Sequence, residues 1–398
     1  MSPTSYLAAL PRVSFRRHNS LSTTLSGVNE RSSGGRAYNA RVNAWSVGDR
    51  LRHEHNPELG TGEIEVHAGD LEIFNRSEPA PFPVEDKRYP GFHFRFKTQE
   101  GGNLSSGVWA VRITSDMAGF ETLANGVKRR RLIPAAPGGR FVGLVTLYSM
   151  TTLEPLAVMH DSYMQKMRVG ATSAIGMREL ANPDAKVAGL FGAGWQAEAH
   201  LRYLFMVRPR IEEVRVYSPT PAHRRAFVQE WAAKTGKRIV AVDHPREAVR
   251  GCQIVTCATA AVDPCFDGNW IEPGTHVTAI TSPDGTLPPR RELDDAAFDR
   301  ADLIVVLSKE QISHDSQIDI SGPVDRGLKS WDQIGELGDL LVGRFPGRSR
   351  KDQITIFANN TGMGLQFAAV GARALALAEA KGLGHEVPTE WFLEETTP

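Results

Sequence analysis

Lys186-Val187-Ala188-Gly189-Leu190-Phe191-Gly192-Ala193-Gly194-Trp195-Gln196-Ala197 is the stretch on which the reading of this chain turns. The apolar run reads as a strand, and Gln196 to Met206 reads as a helix. Between them lies the G-x-G-x-x-A form of a phosphate-binding turn. Its first glycine permits the tight turn, its second lets the backbone approach a pyrophosphate, and the small Ala197 lets helix and strand pack closely. The helix start adds unpaired N–H groups and a partial positive charge. Gly192, Ala193, Gly194, Trp195 and Gln196 are therefore expected to hold the diphosphate of a dinucleotide. A purely structural glycine turn is the alternative. The strand before it, the helix after it and a second strand ending at Tyr217 argue against that reading.

Downstream, strands at Glu213 to Tyr217, Arg238 to Val242, Ile254 to Ala258, His276 to Ile280 and Leu303 to Leu307 alternate with helices at Pro221 to Thr235 and around His244 to Arg250. This interleaving predicts an α/β fold with a parallel sheet covered on both faces. The end of the second strand reads Tyr217-Ser218-Pro219-Thr220, followed by His223, Arg224 and Arg225, with no carboxylate to bond a ribose 2′-OH. Hydroxyls and guanidinium groups suit a 2′-phosphate, so Ser218, Thr220 and Arg224 favour NADP(H) over NAD(H). The competing reading makes Arg224 and Arg225 solvated helix-face residues. Thr259, at the end of a later strand, is expected to contact the cofactor, and Cys257 to be a small core residue.

Upstream, short alternating runs at Glu63 to Val66, Phe92 to Phe96, Val108 to Thr114 and Phe141 to Tyr148 read as strands of a mixed sheet. Ser162 to Leu180 then places Met164, Met167, Ala171, Ala174 and Ile175 on one helical face. Near the far end, Ile354 to Ala358 and a helix from about Met363 to Lys381 are expected to return to the first domain. Residues 1–48 hold six arginines, nine serines and one acid, Glu30. This is the bias of a transit peptide, and equally of a flexible leader. The expected organisation is a leader at 1–48, a mixed α+β substrate-binding and dimerisation domain at 49–182 completed by about 362–398, and a Rossmann-type dinucleotide-binding domain at 183–361.

The whole chain has 398 residues, room for two domains. Its 46 basic and 46 acidic residues cancel, which argues against a nucleic-acid partner. No apolar run approaches the roughly 18 residues of a membrane span. Cys252, Cys257 and Cys265 are odd in number, so a reducing compartment, the cytoplasm, is expected. Their spacing matches no zinc arrangement and the histidines show no ligand pattern, so no metal site is expected.

Met167-Arg168-Val169-Gly170-Ala171-Thr172-Ser173-Ala174, Ala181-Asn182-Pro183-Asp184-Ala185 and the Gly-Ala-Gly-x-Gln-Ala turn together resemble the ornithine cyclodeaminase/mu-crystallin family. Leu156-Ala157-Val158-Met159, Gly274-Thr275-His276-Val277, Arg291-Glu292-Leu293, Thr361-Gly362 and Leu365-Gln366 extend the resemblance over about 107 to 382. It implies a cleft between two domains, a homodimer, and hydride transfer between nicotinamide and the α-carbon of an amino or imino acid. It also implies that Arg168 binds the substrate carboxylate, whose burial requires a cationic partner. Arg112 stands where the family usually has lysine. It retains a carboxylate-anchoring and catalytic place but no capacity to release a proton. Arg88 is a candidate for a third family arginine. Asp284, in Ser282-Pro283-Asp284-Gly285, is the candidate catalytic aspartate and general base, although Pro-Asp-Gly is also an ordinary turn. Phe367 replaces a frequent family aspartate.

Three functions fit this reading. The first is an NAD(P)H-dependent oxidoreductase of a small α-imino, ketimine or α-amino acid. The second is an ornithine cyclodeaminase that recycles its NAD within one turnover. The third is a non-catalytic, crystallin-like binder of NADPH or a small ligand, since fold and cofactor site do not prove chemistry.

Overall fold

The structure, a computed structural model, describes residues 88–281, 290–314 and 317–394, together with the backbone of 13–15. In chain order the first strands are β1 (Val13–Phe15), β2 (His93–Asn103), β3 (Val108–Thr122), β4 (Lys128–Ile133), β5 (Val142–Ser149) and β6 (Pro155–His160). The strands expected around 92–96, 108–114 and 141–148 are thus present and longer or slightly displaced. The run at Glu63 to Val66 lies outside the described residues. Val13–Phe15 falls inside the expected leader yet is paired, lying between β6 and a late strand, so backbone hydrogen bonding claims part of that stretch for the sheet.

Helix α1 (Ser162–Leu180) follows, with the bounds its apolar spacing predicts. It is buried along nearly its whole length because it lies between the two halves of the molecule, packed on α2 (Trp195–Val207) and on the second sheet. Arg208 closes its end by donating to the carbonyls of Met177, Arg178 and Ala181 at 2.8–2.9 Å, which satisfies acceptors that a helix terminus leaves open.

The second sheet contains β7 (Val187–Phe191), β8 (Glu213–Tyr217), β9 (Arg238–Ala241), β10 (Ile254–Cys257), β11 (His276–Ala279), β12 (Leu303–Val306), β13 (Ile334–Glu336) and β14 (Thr355–Ala358). Its order is β13-β12-β14-β11-β10-β7-β8-β9, and every pairing is parallel. Besides α2, α3 (Pro221–Thr235), α4 (Asp295–Arg300), α5 (Lys309–His314), α6 (Ile318–Asp325) and α7 (Leu337–Leu341) accompany these strands. Fully buried runs such as Ile254–Cys257 and Leu303–Val306 reflect a sheet with helices on both faces. This is the α/β, Rossmann-type fold expected from the sequence.

Helix α8 (Gly364–Ala380) and β15 (His385–Val387) return to the first sheet, whose order is β15-β1-β6-β5-β3-β2 with β4 on β3. Phe367, Ala368 and Leu375 of α8 pack against Ala110, Val145, Leu147 and Met159, giving the first sheet its own core.

Candidate active site

At the end of β7, Gly192 has φ +110°, and a Cβ there would overlap the carbonyl oxygen of Ala258. Only glycine suits that position. Gly194 is the N-cap of α2, with no side-chain cap and open space where a Cβ would stand. Buried Oε1 of Gln196 has no hydrogen-bond partner. An uncapped helix start, open space above it and an orphaned polar atom fit the diphosphate of a dinucleotide. Lys166 of α1 is buried over the rings of Trp195 and Tyr163 and pairs with Glu198 of α2 at 3.0 Å, which offsets a carboxylate close to that anion site.

At the end of β8, Ser218 is buried and its carbonyl accepts from Nη1 of Arg224 at 2.8 Å. Arg224 is itself only 3% exposed, lies 5.6 Å from the centre of the Tyr217 ring, and pairs through Nη2 with Asp243. The solvated-face reading of Arg224 is therefore corrected: helix geometry turns it inward onto the strand end. Arg225 is exposed, and Thr220 is half-buried at the N-cap of α3. Reading only the end of β8 missed Asp243, which arrives from the segment after β9.

On the inner face of the first sheet, Arg112 of β3 and Arg168 of α1 both lie over the ring of Phe367, at 5.1 and 5.4 Å from its centre. Arg112 donates to Asp161 at 2.7 Å and to Oε1 of Gln99 at 2.7 Å, while Gln99 donates to the carbonyl of Gly362 at 2.8 Å. Arg168 donates to Oε1 of Gln165 at 2.9–3.1 Å and to Oε1 of Gln366 at 3.2 Å. The sequence paired these two arginines by resemblance. It missed Gln99 and Asp161, which carry no distinguishing signal among the polar residues around them, Lys97-Thr98-Gln99-Glu100 and His160-Asp161-Ser162.

Arg88 stands apart from this group. It is exposed in the turn before β2, over the ring of Tyr89. Even the first residue of β2 lies about 20 Å along the strand from Gln99, the partner of Arg112, at some 3.3 Å per residue. The buried arginine of that strand is Arg95, paired with Asp116 at 2.6–2.7 Å. Thr259 is turned inward: its N–H and hydroxyl both donate to Oε1 of Glu292 at 2.7 Å. The other oxygen of Glu292 accepts from the N–H of Ile280, also at 2.7 Å, and burial pushes this carboxyl above its usual range. Asp284 lies outside the described residues. Cys257 is fully buried, as expected for a core residue. Among the described residues no His, Cys, Asp and Glu group has the arrangement of a metal site, and no helix is long and apolar enough to cross a membrane.

Residues 117–373 match the model of the ornithine cyclodeaminase/mu-crystallin family. The chain belongs to that family. A Delta(1)-pyrroline-2-carboxylate reductase of Bacillus cereus is 32% identical over 70% of this chain and 84% of its own length. Among solved structures, the Thermococcus litoralis Delta(1)-pyrroline-2-carboxylate reductase in complex with NADH and L-proline is 27% identical, with a TM-score of 0.58 over 74% of this chain and 90% of its own. An archaeal alanine dehydrogenase dimer with bound NAD is 26% identical, with a TM-score of 0.62 over 77% and 87%. In this member of the ornithine cyclodeaminase/mu-crystallin family, the Phe367 ring lies beside both arginines, and Arg112 is paired with Asp161.

Proposed function

We propose that this protein transfers hydride between a nicotinamide cofactor and the α-carbon of a small imino or amino acid, in the direction of imine reduction. The chain is an NAD(P)-dependent oxidoreductase, the class of its reductase and dehydrogenase relatives. One observation carries the substrate reading: two buried guanidinium groups share the Phe367 ring, and one of them is borne by the helix that also sends Lys166 to the phosphate-binding turn.

When bound, the nicotinamide supplies or accepts the hydride. Arg168 would take the substrate carboxylate as a two-pronged donor, fixing the plane of the acid. Arg112, already neutralised by Asp161, would add a donor edge rather than a net charge. Neither guanidinium releases a proton near neutral pH, so proton transfer is assigned to Asp284. Gly192 to Gln196 would hold the diphosphate, and Thr259 would shape the nicotinamide side through its bonds to Glu292.

NADP(H) is favoured over NAD(H), on the hydroxyls of Ser218 and Thr220 and the inward guanidinium of Arg224. The same proposal takes 183–361 as the dinucleotide domain, and 49–182 with 362–398 as the substrate domain. A homodimer is favoured by the outer face of the first sheet, where Phe96, Val142 and Leu144 are 41%, 45% and 42% exposed on the two strands that flank β3. Three free thiols suit the cytoplasm.

The test is incubation of the pure protein with NADPH or NADH and a panel of cyclic imino acids, keto acids with amines, and ornithine. Net oxidation of cofactor with an imino acid is expected. Ammonia from ornithine with no net change would replace this reading with a cyclodeaminase, and cofactor binding without turnover would replace it with a binding protein.

A further inference from the structure

Strand β3 outruns its own sheet. β5 accompanies it to Ser115 and β2 to Ala118, and beyond that, among the described strands, β4 alone pairs with it. The resulting two-strand ribbon reaches across to the second sheet. Arg130 N donates to the carbonyl of Ala260 at 2.8 Å, Val262 N donates to the carbonyl of Lys128 at 3.4 Å, and Arg129 and Ala261 form an antiparallel bridge. At the ribbon's tip, Nδ2 of Asn125 donates to the carbonyl of Pro219 at 3.0 Å.

These anchor points flank the phosphate-binding turn. Ala260 to Val262 follow β10, Pro219 follows β8, and β7 lies between those two strands in the sheet. A ribbon fastened to both neighbours spans the carboxyl end of β7 over about 10 Å, two strand spacings. The Gly192 to Gln196 turn stands at that end.

The ribbon is also basic, reading Lys128-Arg129-Arg130-Arg131. Cross-strand partners share a face, and side chains alternate along a strand. Lys128 and Arg130, opposite Thr122 and Phe120, therefore share the face of β3 that carries Arg112. Arg129 and Arg131 take the other face, where both pair with Glu121 at 2.5 and 2.9 Å. Glu121 thus pairs with the two arginines of one face, and Lys128 and Arg130 lie on the other, the side of the cleft.

We propose that the β3–β4 ribbon is a strap across the bound dinucleotide, with Lys128 and Arg130 as phosphate-binding residues, so that cofactor leaves only when the strap lifts. This rests on the dinucleotide reading of the turn. The ligand chemistry is a phosphate, either the diphosphate common to both cofactors or the 2′-phosphate of NADP(H) alone.

The experiment follows release of NADH and of NADPH from the full-length protein by cofactor fluorescence in stopped flow. Three variants are compared: Asn125→Ala, a ribbon in which residues 123–127 are replaced by Asn-Gly, and Lys128→Ala with Arg130→Ala. The shortened ribbon should speed release of both cofactors tenfold or more, and Asn125→Ala should speed it severalfold. The double variant should raise the Kd at least tenfold, for both cofactors where the cations meet the diphosphate and for NADPH alone where they meet the 2′-phosphate. Wild-type release rates and affinities in Asn125→Ala and the double variant would overturn the strap, even where the shortened ribbon fails to fold. Gly194→Asp separates the two levels, because its loss of binding upholds the turn whatever the strap does. Unchanged cofactor affinity in Gly194→Asp would remove the turn reading itself.

Discussion

Nε and Nη2 of Arg112 meet the same oxygen of Asp161, each at 2.7 Å. Both side chains are buried, and the carboxylate rests against Gly143, where any Cβ would overlap it. The pair thus holds Arg112 in one place within the fold.

Removal of the acid from that pair leaves a buried cation uncompensated. Asp161→Ala should therefore lower the unfolding free energy by about 3–5 kcal/mol, the cost of stranding one partner of a buried ion pair. Gly143→Ala should destabilise by displacing the same carboxylate. Urea unfolding of both variants measures this, and a midpoint equal to wild type for Asp161→Ala would show that Arg112 needs no counter-charge.

Arg168→Ala should cost on the order of 3–5 kcal/mol in kcat/KM on an acid substrate, since the buried carboxylate loses its partner. Arg168→Lys should recover only part of this, because an ammonium group lacks the fork geometry. Cofactor affinity should hardly move in either variant. Near-normal kcat/KM in Arg168→Ala would remove the carboxylate-binding role.

If NADP(H) binds as proposed, Asp243, which pairs with Arg224, and the 2′-phosphate would compete for one guanidinium. Arg224→Ala should weaken NADPH by about 1.5–3 kcal/mol, the range for a charge-assisted hydrogen bond, and spare NADH. Asp243→Asn should do the reverse, tightening NADPH relative to NADH. Titration of both variants with both cofactors decides the matter, and parallel changes for the two would place Arg224 outside cofactor discrimination.

His200 links Ser173 and the carbonyl of Gln196 through its two ring nitrogens, at 3.0 and 2.7 Å. Burial pushes its imidazole from the ordinary 6.5 down to about 4. The unfolded chain therefore binds the proton more readily, so this contribution to stability is complete above pH 6.5 and is lost as pH falls through 4. The loss amounts to about 3 kcal/mol. His200→Gln should flatten the dependence of the urea midpoint between pH 6.5 and 4 relative to wild type, and an identical slope would show that other groups cause it.

The periodicity of this sequence located α1 and the strands on either side of the turn because each buries a regular face. Long-range partners left no such mark. Asp161 sits one residue ahead of a helix and reads as an unremarkable cap, yet its role is set by Arg112, 49 residues earlier in the chain. Asp243 shows the same limit: β9 lies beside β8, so a carboxylate absent from one strand end is supplied from the next. Sequence position points to Arg88, whereas alternation along β2 buries Arg95 against its cross-strand acid, Asp116. The ribbon is not legible in the sequence, because an alternating run shows that a strand exists but not how far it outlasts its neighbours.

Gln99 donates to the carbonyl of Gly362, 263 residues further on, and Phe367 comes from helix α8, which begins just after it at Gly364. Biosynthesis runs from the other end. A nascent chain can complete β7, α2 and the phosphate-binding turn while the two arginines still lack the ring that lies beside them both. The proposed recognition of the acid would therefore be withheld from every translation intermediate until α8 has been made and has docked, and a chain interrupted before that point would carry a nucleotide fold whose arginines lack the Phe367 ring.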